Sequence, residues 1–189
     1  MGSGLEENMR EAQASSYNTS LIVVGMPGAG KSTIGLLLAK ELAKNFVDTD
    51  LLIQIRENKT LQDIIEQQDY LALRRIEEEI LLGMTYPNHV VATGGSAIYS
   101  APGMHHLKTF GRIIFLDVAE DELLRRIDNF GSRGIARRPG QSFTDLFAER
   151  RALYQKYADI TINCTDKSQG LIVQEIIYAE GNQYAQMDA

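Results

Sequence analysis

The chain has 189 residues, a formal net charge of −6, 44% hydrophobic residues and 23% charged residues. This composition is ordinary for one globular domain, and the acidic balance argues against a general nucleic-acid-binding surface. The apolar runs are shorter than the roughly 20 residues that a membrane-spanning helix needs, and the first residues do not resemble a secretory signal. The single cysteine, Cys164, excludes an internal disulfide. We therefore expect a cytoplasmic protein without nucleic-acid or membrane partners.

Apolar segments that predict strands alternate with segments whose apolar residues recur at helical spacing. The predicted strands lie at about residues 20–24, 46–47, 89–92, 112–116 and 160–163. This alternation is typical of an α/β fold in which helices cover both faces of a parallel sheet, and ligands then bind at the carboxyl ends of the strands. We expect a flexible N-terminal extension (1–18), a single domain (19–180) and a polar tail (181–189).

The first predicted strand is followed by a P-loop, G-x-x-x-x-G-K-[ST], and then by an apolar helical segment. Glycines keep its backbone open, so N–H groups can surround a phosphate chain at the positive end of the helix dipole. Lys31 can reach the β- and γ-phosphates, and the Ser32 hydroxyl can bind Mg²⁺. The sequence therefore predicts binding of ATP and Mg²⁺. The residues expected around the nucleotide phosphates are Gly28, Ala29, Gly30, Lys31, Ser32 and Thr33.

Two aspartates, Asp48 and Asp50, stand at the end of the second predicted strand. Alternate residues that leave a strand point to opposite sides, so one carboxylate would face the metal and the other the phosphoryl acceptor. Mg²⁺ commonly takes one or two carboxylates and keeps several waters. Asp117, at the end of the fourth predicted strand, is a competing candidate for the metal.

Two further features concern the acceptor, and each has a simpler alternative. Arg74 and Glu77 share a helix face and can pair, so that the Arg74 guanidinium could clamp a carboxylate. The alternative is a surface ion pair worth at most about 1 kcal/mol. Gly94 and Gly95 follow the third predicted strand and could offer bare backbone to a bound molecule, or simply form a turn.

The segment 131–141 contains three glycines, one proline and three arginines, which is typical of a loop. A mobile cationic loop can close over phosphates and exclude water during transfer. We therefore predict a lid at about this position. Its candidate phosphate-binding residues include Arg133 and Arg138.

Taken together, these motifs resemble those of the shikimate kinase family. The similarity rests on the P-loop, Phe46-Val47-Asp48-Thr49-Asp50, Leu73-Arg74-Arg75-Ile76-Glu77, Thr93-Gly94-Gly95-Ser96, Arg138-Pro139, and Arg150 followed by Leu153-Tyr154. It implies a three-layer fold of nucleoside-monophosphate-kinase type, with a five-stranded parallel sheet and a mobile lid. It also implies transfer of the ATP γ-phosphate to the 3-hydroxyl of shikimate.

The resemblance further implies a role for individual residues. Asp50 would hold the ring hydroxyls and orient the acceptor oxygen, and Arg74 and Arg150 would clamp the shikimate carboxylate. Glu77 would brace Arg74. Gly94 and Gly95 would offer backbone contacts to the acceptor, and Asp48 would order Mg²⁺ through water, beside Ser32. Arg138 would contact the phosphates from the lid, and Arg133 would lie on the adenine side.

Two residues depart from the family pattern. Ser96 stands where the family has a third glycine, and Gly140 stands where leucine is usual. Both positions bear on acceptor recognition, which leaves two alternatives. One is a related kinase of gluconate-kinase type, and the other is a nucleotide-dependent regulatory module without turnover. In each case we expect a monomer.

Overall fold

The computed structural model describes residues 19–127 and 134–187. Predictions for the N-terminal extension and for Arg133 lie outside the described residues. The strands are β1 Ser20–Gly25, β2 Asn45–Asp48, β3 His89–Ala92, β4 Gly111–Asp117 and β5 Ile160–Asn163. The helices are α1 Lys31–Glu41, α2 Thr49–Glu57, α3 Leu61–Gln67, α4 Tyr70–Leu82, α5 Ala101–Lys108, α6 Glu120–Arg126, α7 Phe143–Tyr157 and α8 Gln169–Met187.

The five strands form one parallel sheet in the order β2-β3-β1-β4-β5. At its centre, Ile22 of β1 lies opposite Val91 of β3 and Ile113 of β4. The three side chains are fully buried, as expected for strands that are covered on both faces. The predicted parallel sheet is therefore confirmed, and the carboxyl ends of its strands meet at one edge.

Helices cover the sheet as the alternating pattern predicts. Helices α1 and α8 contact each other and pack on β1, β3 and β5, whereas α5 and α7 pack against β4. Helix α7 is capped at its N-terminus, since the Ser142 hydroxyl accepts a hydrogen bond from the backbone N–H of Asp145. Helix α8 continues to Met187, so residues 181–187 of the expected polar tail are helical.

Within the described part of the chain, none of the helices is long and apolar enough to cross a membrane. The expected cytoplasmic location and monomeric state stay predictions.

Gly35 and Gly181 give opposite predictions for the same substitution, although both lie inside helices. A Cβ atom at Gly35 would lie 2.9 Å from the Phe46 ring, whereas Gly181 has open space around it. We expect Gly35→Leu to lower the free energy of unfolding by about 1–3 kcal/mol, because it overpacks α1 against the sheet. Gly181→Leu should leave that free energy unchanged or raise it by up to about 1 kcal/mol, because leucine is the better helix former. Urea unfolding of both variants tests this, and similar losses at the two sites would contradict it.

Candidate active site at the carboxyl edge of the sheet

The P-loop joins the end of β1 to the start of α1. Gly28 and Gly30 have φ values of 83° and 90°, which side chains rarely adopt. A Cβ atom at Gly28 would also lie 2.9 Å from Ile127, so this position has no room for a side chain. Ala29 is buried and its N–H donates to the Met26 carbonyl at 3.1 Å. The loop is therefore a backbone cradle that leads into a helix N-terminus, as the motif predicts.

Lys31 is folded back onto this loop. Its Nζ donates to the carbonyls of Gly25 and Met26, each at 3.0 Å. Burial lowers the pKa of Lys31 to about 8, although the charges of Asp50 and Asp48 oppose this shift. The lysine is thus held close to where phosphates would lie, and it is only weakly stabilised as a cation before an anion arrives.

A cavity of about 360 Å³ opens beside the P-loop. It extends from the start of α1, across α2 and α4, to Gly134, Ile135 and Ala136. The predicted site residues that line it are Gly28, Gly30, Lys31, Ser32, Thr33, Asp50, Gly95 and Arg150. The fold therefore brings most of the predicted nucleotide and acceptor residues to one cavity.

Asp48 and Asp50 lie at this edge of the sheet, but the backbone that positions them differs from the prediction. Strand β2 ends at Asp48, and the chain turns directly into α2. The Asp48 carboxylate caps α2 by accepting the N–H of Asp50 at 3.0 Å. The strand-alternation argument is therefore wrong, because Asp50 lies in the first helical turn, from which it reaches the cavity.

Asp117, the competing metal candidate, has a different partner. Both of its carboxylate oxygens accept hydrogen bonds from the Arg151 guanidinium, at 3.0 and 2.7 Å. Among the described residues, no group of three or more His, Cys, Asp and Glu side chains is placed to bind a metal. A magnesium site at this edge would therefore rest on few protein ligands.

Gly94 and Gly95 make room for the protein's own charged groups. A Cβ atom at Gly94 would overlap the Glu77 carboxylate and lie 2.5 Å from Asp50 Oδ1. At Gly95 it would lie 2.8 Å from Nη1 of Arg150. The bare backbone thus lets two carboxylates and a guanidinium converge at the cavity wall, a function that neither sequence interpretation included.

The predicted Arg74–Glu77 pair is not formed, so the expected bracing of Arg74 by Glu77 is wrong for this structure. Glu77 Oε2 instead accepts a hydrogen bond from the Ser96 hydroxyl. The Arg74 guanidinium lies over the Tyr99 ring, 3.5 Å from the centroid. Arg74 and Glu77 are close in sequence, but their partners Tyr99 and Ser96 lie in a turn farther along the chain. Helical spacing alone could not predict these partners.

Both predicted carboxylate-binding arginines meet at one backbone oxygen. Arg150, 1% exposed, donates from Nη2 to the Ala136 carbonyl at 2.6 Å, and Arg74 Nη2 lies 3.4 Å from the same oxygen. Ala136 itself is buried in a small apolar cluster with Ile53 and Leu73. The loop carbonyl therefore has a fixed place between the two guanidinium groups.

The predicted lid arginine lies elsewhere. Arg138 pairs with Glu149 on the surface and does not line the P-loop cavity, because the chain at Pro139 and Gly140 borders a separate surface cavity. Arg126, which we did not predict, lines the P-loop cavity instead. Its Nη1 lies 3.4 Å from the Gly28 carbonyl, and it pairs with Glu122 one turn earlier on α6. The Glu122–Arg126 spacing was visible in the sequence, but such pairs are common on helix surfaces.

Glu77 provides a prediction about pH. It is 2% exposed, and burial, followed by the nearby Asp50 charge, raises its pKa to about 7 from an ordinary value of 4.5. The protonated form is therefore favoured in the folded state. Its contribution to stability is complete below pH 4.5 and is lost as the pH rises through 7. As the pH rises from 5 to 8, we expect the free energy of unfolding of Glu77→Gln to increase by about 1–3 kcal/mol relative to that of the wild type.

Urea unfolding at several pH values between 5 and 8 measures this difference. The matched control is Glu41→Gln, since Glu41 is exposed in the last turn of α1. Its stability curve should stay parallel to that of the wild type. A parallel curve for Glu77→Gln as well would show that Glu77 is already ionised in the folded protein.

The shikimate kinase family model matches residues 27–179 of this chain. The chain is 35% identical over 159 residues to the shikimate kinase of Sulfurihydrogenibium sp., covering 84% of this chain and 95% of that protein. It is 34% identical over 161 residues to the shikimate kinase of Staphylococcus haemolyticus, covering 85% and 93%.

Solved structures agree with this relationship. The shikimate kinase of Acinetobacter baumannii in complex with shikimate matches with a TM-score of 0.82 and 29% identity, over 91% of this chain and 98% of that one. The shikimate kinase of Aquifex aeolicus matches with a TM-score of 0.72 and 29% identity, over 87% and 98%. The match of the family model to residues 27–179 and the identity to these relatives over most of the chain show that the chain belongs to the shikimate kinase family.

Proposed function

We propose that this protein is a shikimate kinase, which transfers the γ-phosphoryl group of ATP to the 3-hydroxyl of shikimate and releases shikimate 3-phosphate and ADP. The observation that carries the proposal is that one cavity is lined by the P-loop and Lys31, which would bind the phosphates, and by Asp50 and Arg150, which would bind the acceptor. Phosphoryl transfer needs little covalent chemistry from the protein, so holding both reactants in one cavity is the main requirement.

The nucleotide end provides donors for phosphate oxygens. Backbone N–H groups of the P-loop and the α1 N-terminus would bind the phosphates, as an anion at a helix N-terminus is favoured. Lys31 would exchange its two carbonyl partners for phosphate oxygens, and the added negative charge would restore its positive charge. Arg126, beside Gly28, would contribute a second cation at this end.

Mg²⁺ fits the residues at this end. Ser32 is exposed at the start of α1, and the Asp48 carboxylate lies close enough to influence Lys31. One hydroxyl and one carboxylate suffice for an ion that keeps most of its waters. When bound, Mg²⁺ would neutralise charge on the phosphates.

The acceptor end matches an acid that carries hydroxyl groups. Asp50 would accept a hydrogen bond from the attacking hydroxyl and orient its oxygen. Arg150 and Arg74 would bind the carboxylate, and each has a buried Nε atom that lacks a hydrogen-bond partner in the described structure. Buried donors without partners are rare in folded proteins, so both guanidinium groups keep hydrogen-bonding capacity that an acceptor carboxylate would satisfy in part.

Release of ADP from ATP and Mg²⁺ should depend on shikimate in the wild-type enzyme. Arg150→Ala should raise the KM for shikimate by about 10-fold or more, because it removes a charged hydrogen-bond donor, and should leave the KM for ATP within about 2-fold. Lys31→Ala should reduce kcat by about 100-fold. Steady-state kinetics with both substrates varied gives these constants.

Quinate and gluconate serve as comparison acceptors in the same assay. Turnover with one of them and none with shikimate would keep the kinase mechanism and reject shikimate as the acceptor. ATP binding without turnover of any acceptor would favour a regulatory module.

Arg126 on α6 and Arg138 in the predicted lid should differ in their effect on the KM for ATP. Arg126 lines the P-loop cavity, so Arg126→Ala should raise the KM for ATP by about 5-fold. Arg138 pairs with Glu149 on the surface, so Arg138→Ala should change that KM by less than about 2-fold. The reverse order would show that the loop rearranges when ATP binds and brings Arg138 to the phosphates, as the sequence predicted.

A further inference from the structure

Tyr99 packs against both acceptor-side arginines. It ends the 3-10 turn Ala97–Tyr99, which follows Gly94 and Gly95. The guanidinium carbon of Arg74 lies 3.5 Å from the ring centroid, and that of Arg150 lies 5.4 Å from it. A guanidinium over an aromatic face is attracted by the ring quadrupole, more strongly where water is excluded. One ring therefore contacts both groups that would hold the acceptor carboxylate.

The orientation of Arg74 depends on the Tyr99 ring because Glu77, its neighbour on α4, has another partner. Arg74 and Glu77 are three residues apart and could pair. The Ser96 hydroxyl instead binds Glu77, whose carboxylate lies against Gly94. The N–H of Tyr99 donates to the Ser96 carbonyl at 3.0 Å, so one turn fixes both residues. That turn separates Arg74 from Glu77 and supplies a partner to each.

The Arg74 side chain has space to move, so contact with the Tyr99 ring matters for its orientation. A second cavity, of about 280 Å³, adjoins the site, and Arg74, Glu77, Ser96 and Tyr99 are among the residues that line it. The Arg74 guanidinium therefore has room to turn away from the Ala136 carbonyl and Arg150. Without the Tyr99 ring, it would keep only the more distant Tyr70 ring, whose centroid lies 5.1 Å from the guanidinium carbon, and it would sample orientations in which it cannot meet the acceptor carboxylate.

We propose that Tyr99 is a positioning residue that aims the Arg74 guanidinium at the acceptor carboxylate, in place of the acidic neighbour that Ser96 has engaged. The proposal rests on the proposed function, because it assumes that the acceptor is a carboxylic acid. It assigns Tyr99 no contact with the reacting atoms.

The kinetic test compares Tyr99→Leu with Tyr99→Phe. Tyr99→Leu should raise the KM for shikimate about 10-fold and change the KM for ATP by less than about 2-fold, because Arg74 loses its closer aromatic face. Tyr99→Phe keeps that face and should recover most of the shikimate affinity. Tyr178→Leu is the matched control, since Tyr178 is 72% exposed on α8.

Shikimate methyl ester distinguishes positioning from a general structural loss. The ratio of kcat/KM for the acid to that for the ester should fall about 10-fold in Tyr99→Leu and stay near the wild-type ratio in Tyr99→Phe. Equal losses for acid and ester, or an equal loss in Tyr99→Phe, would overturn the proposal.

A second test needs no substrate. Urea unfolding of Arg74→Met, Tyr99→Leu and the double variant forms a double-mutant cycle. We expect Tyr99→Leu to reduce the folding equilibrium constant about 2- to 5-fold less in the Arg74→Met background than in the wild type. Additive effects would overturn the Arg74–Tyr99 interaction. Absence of shikimate turnover by the wild-type enzyme would instead overturn the proposed function and, with it, the role in carboxylate binding.

Discussion

The acceptor end of the cavity is built around the buried guanidinium of Arg150. A cation with 1% exposure is costly unless nearby groups accept its hydrogen bonds or oppose its charge. The Ala136 carbonyl accepts one hydrogen bond, Gly95 leaves room for Nη1, and Tyr99 offers its ring face. Arg150 on α7 thus contacts the loop after residue 133, the glycine pair and the 3-10 turn, and Tyr154 of the same helix adds a hydrogen bond from its hydroxyl to the Gly95 carbonyl.

Arg150 and Lys31 line the same cavity, and the charge of Arg150 helps to lower the pKa of Lys31. Burial of Glu77 acts in the opposite direction and favours its neutral form. Burial therefore limits the charge of the site by weakening the ionised forms of Lys31 and Glu77. Phosphates would favour charged Lys31, and a carboxylate would accept hydrogen bonds from Arg150. Under the proposed function, the same burial favours ligands that carry negative charge at both ends of the cavity.

Local patterns predicted the phosphate half of the site, because the P-loop sets its own backbone path between a strand and a helix. The acceptor half depended on contacts that sequence spacing does not contain. Asp50 lies in a helix because α2 follows β2 without a linker, and the Arg74–Glu77 spacing gave no sign of Ser96 or Tyr99. The Ala136 carbonyl is a backbone atom and leaves no signal in residue type. The sequence also did not reveal the path of the arginine-rich loop, so we predicted Arg138, and not Arg126, beside the phosphates.

Ser96 shows how a departure from the family pattern can be accommodated within the site. It lines the P-loop cavity where the family has a third glycine, but its hydroxyl donates to the Glu77 carboxyl, and Ser96 itself is buried. Because Glu77 is favoured in its neutral form, a hydroxyl is a sufficient partner for it, and an arginine is not needed. Arg74 then needs another partner that keeps its cation near Arg150, and the Tyr99 ring supplies a face without adding a competing negative charge. An anionic acceptor can displace water from such a cation more readily than it can displace a carboxylate, so the Ser96–Tyr99 turn preserves carboxylate recognition by different contacts.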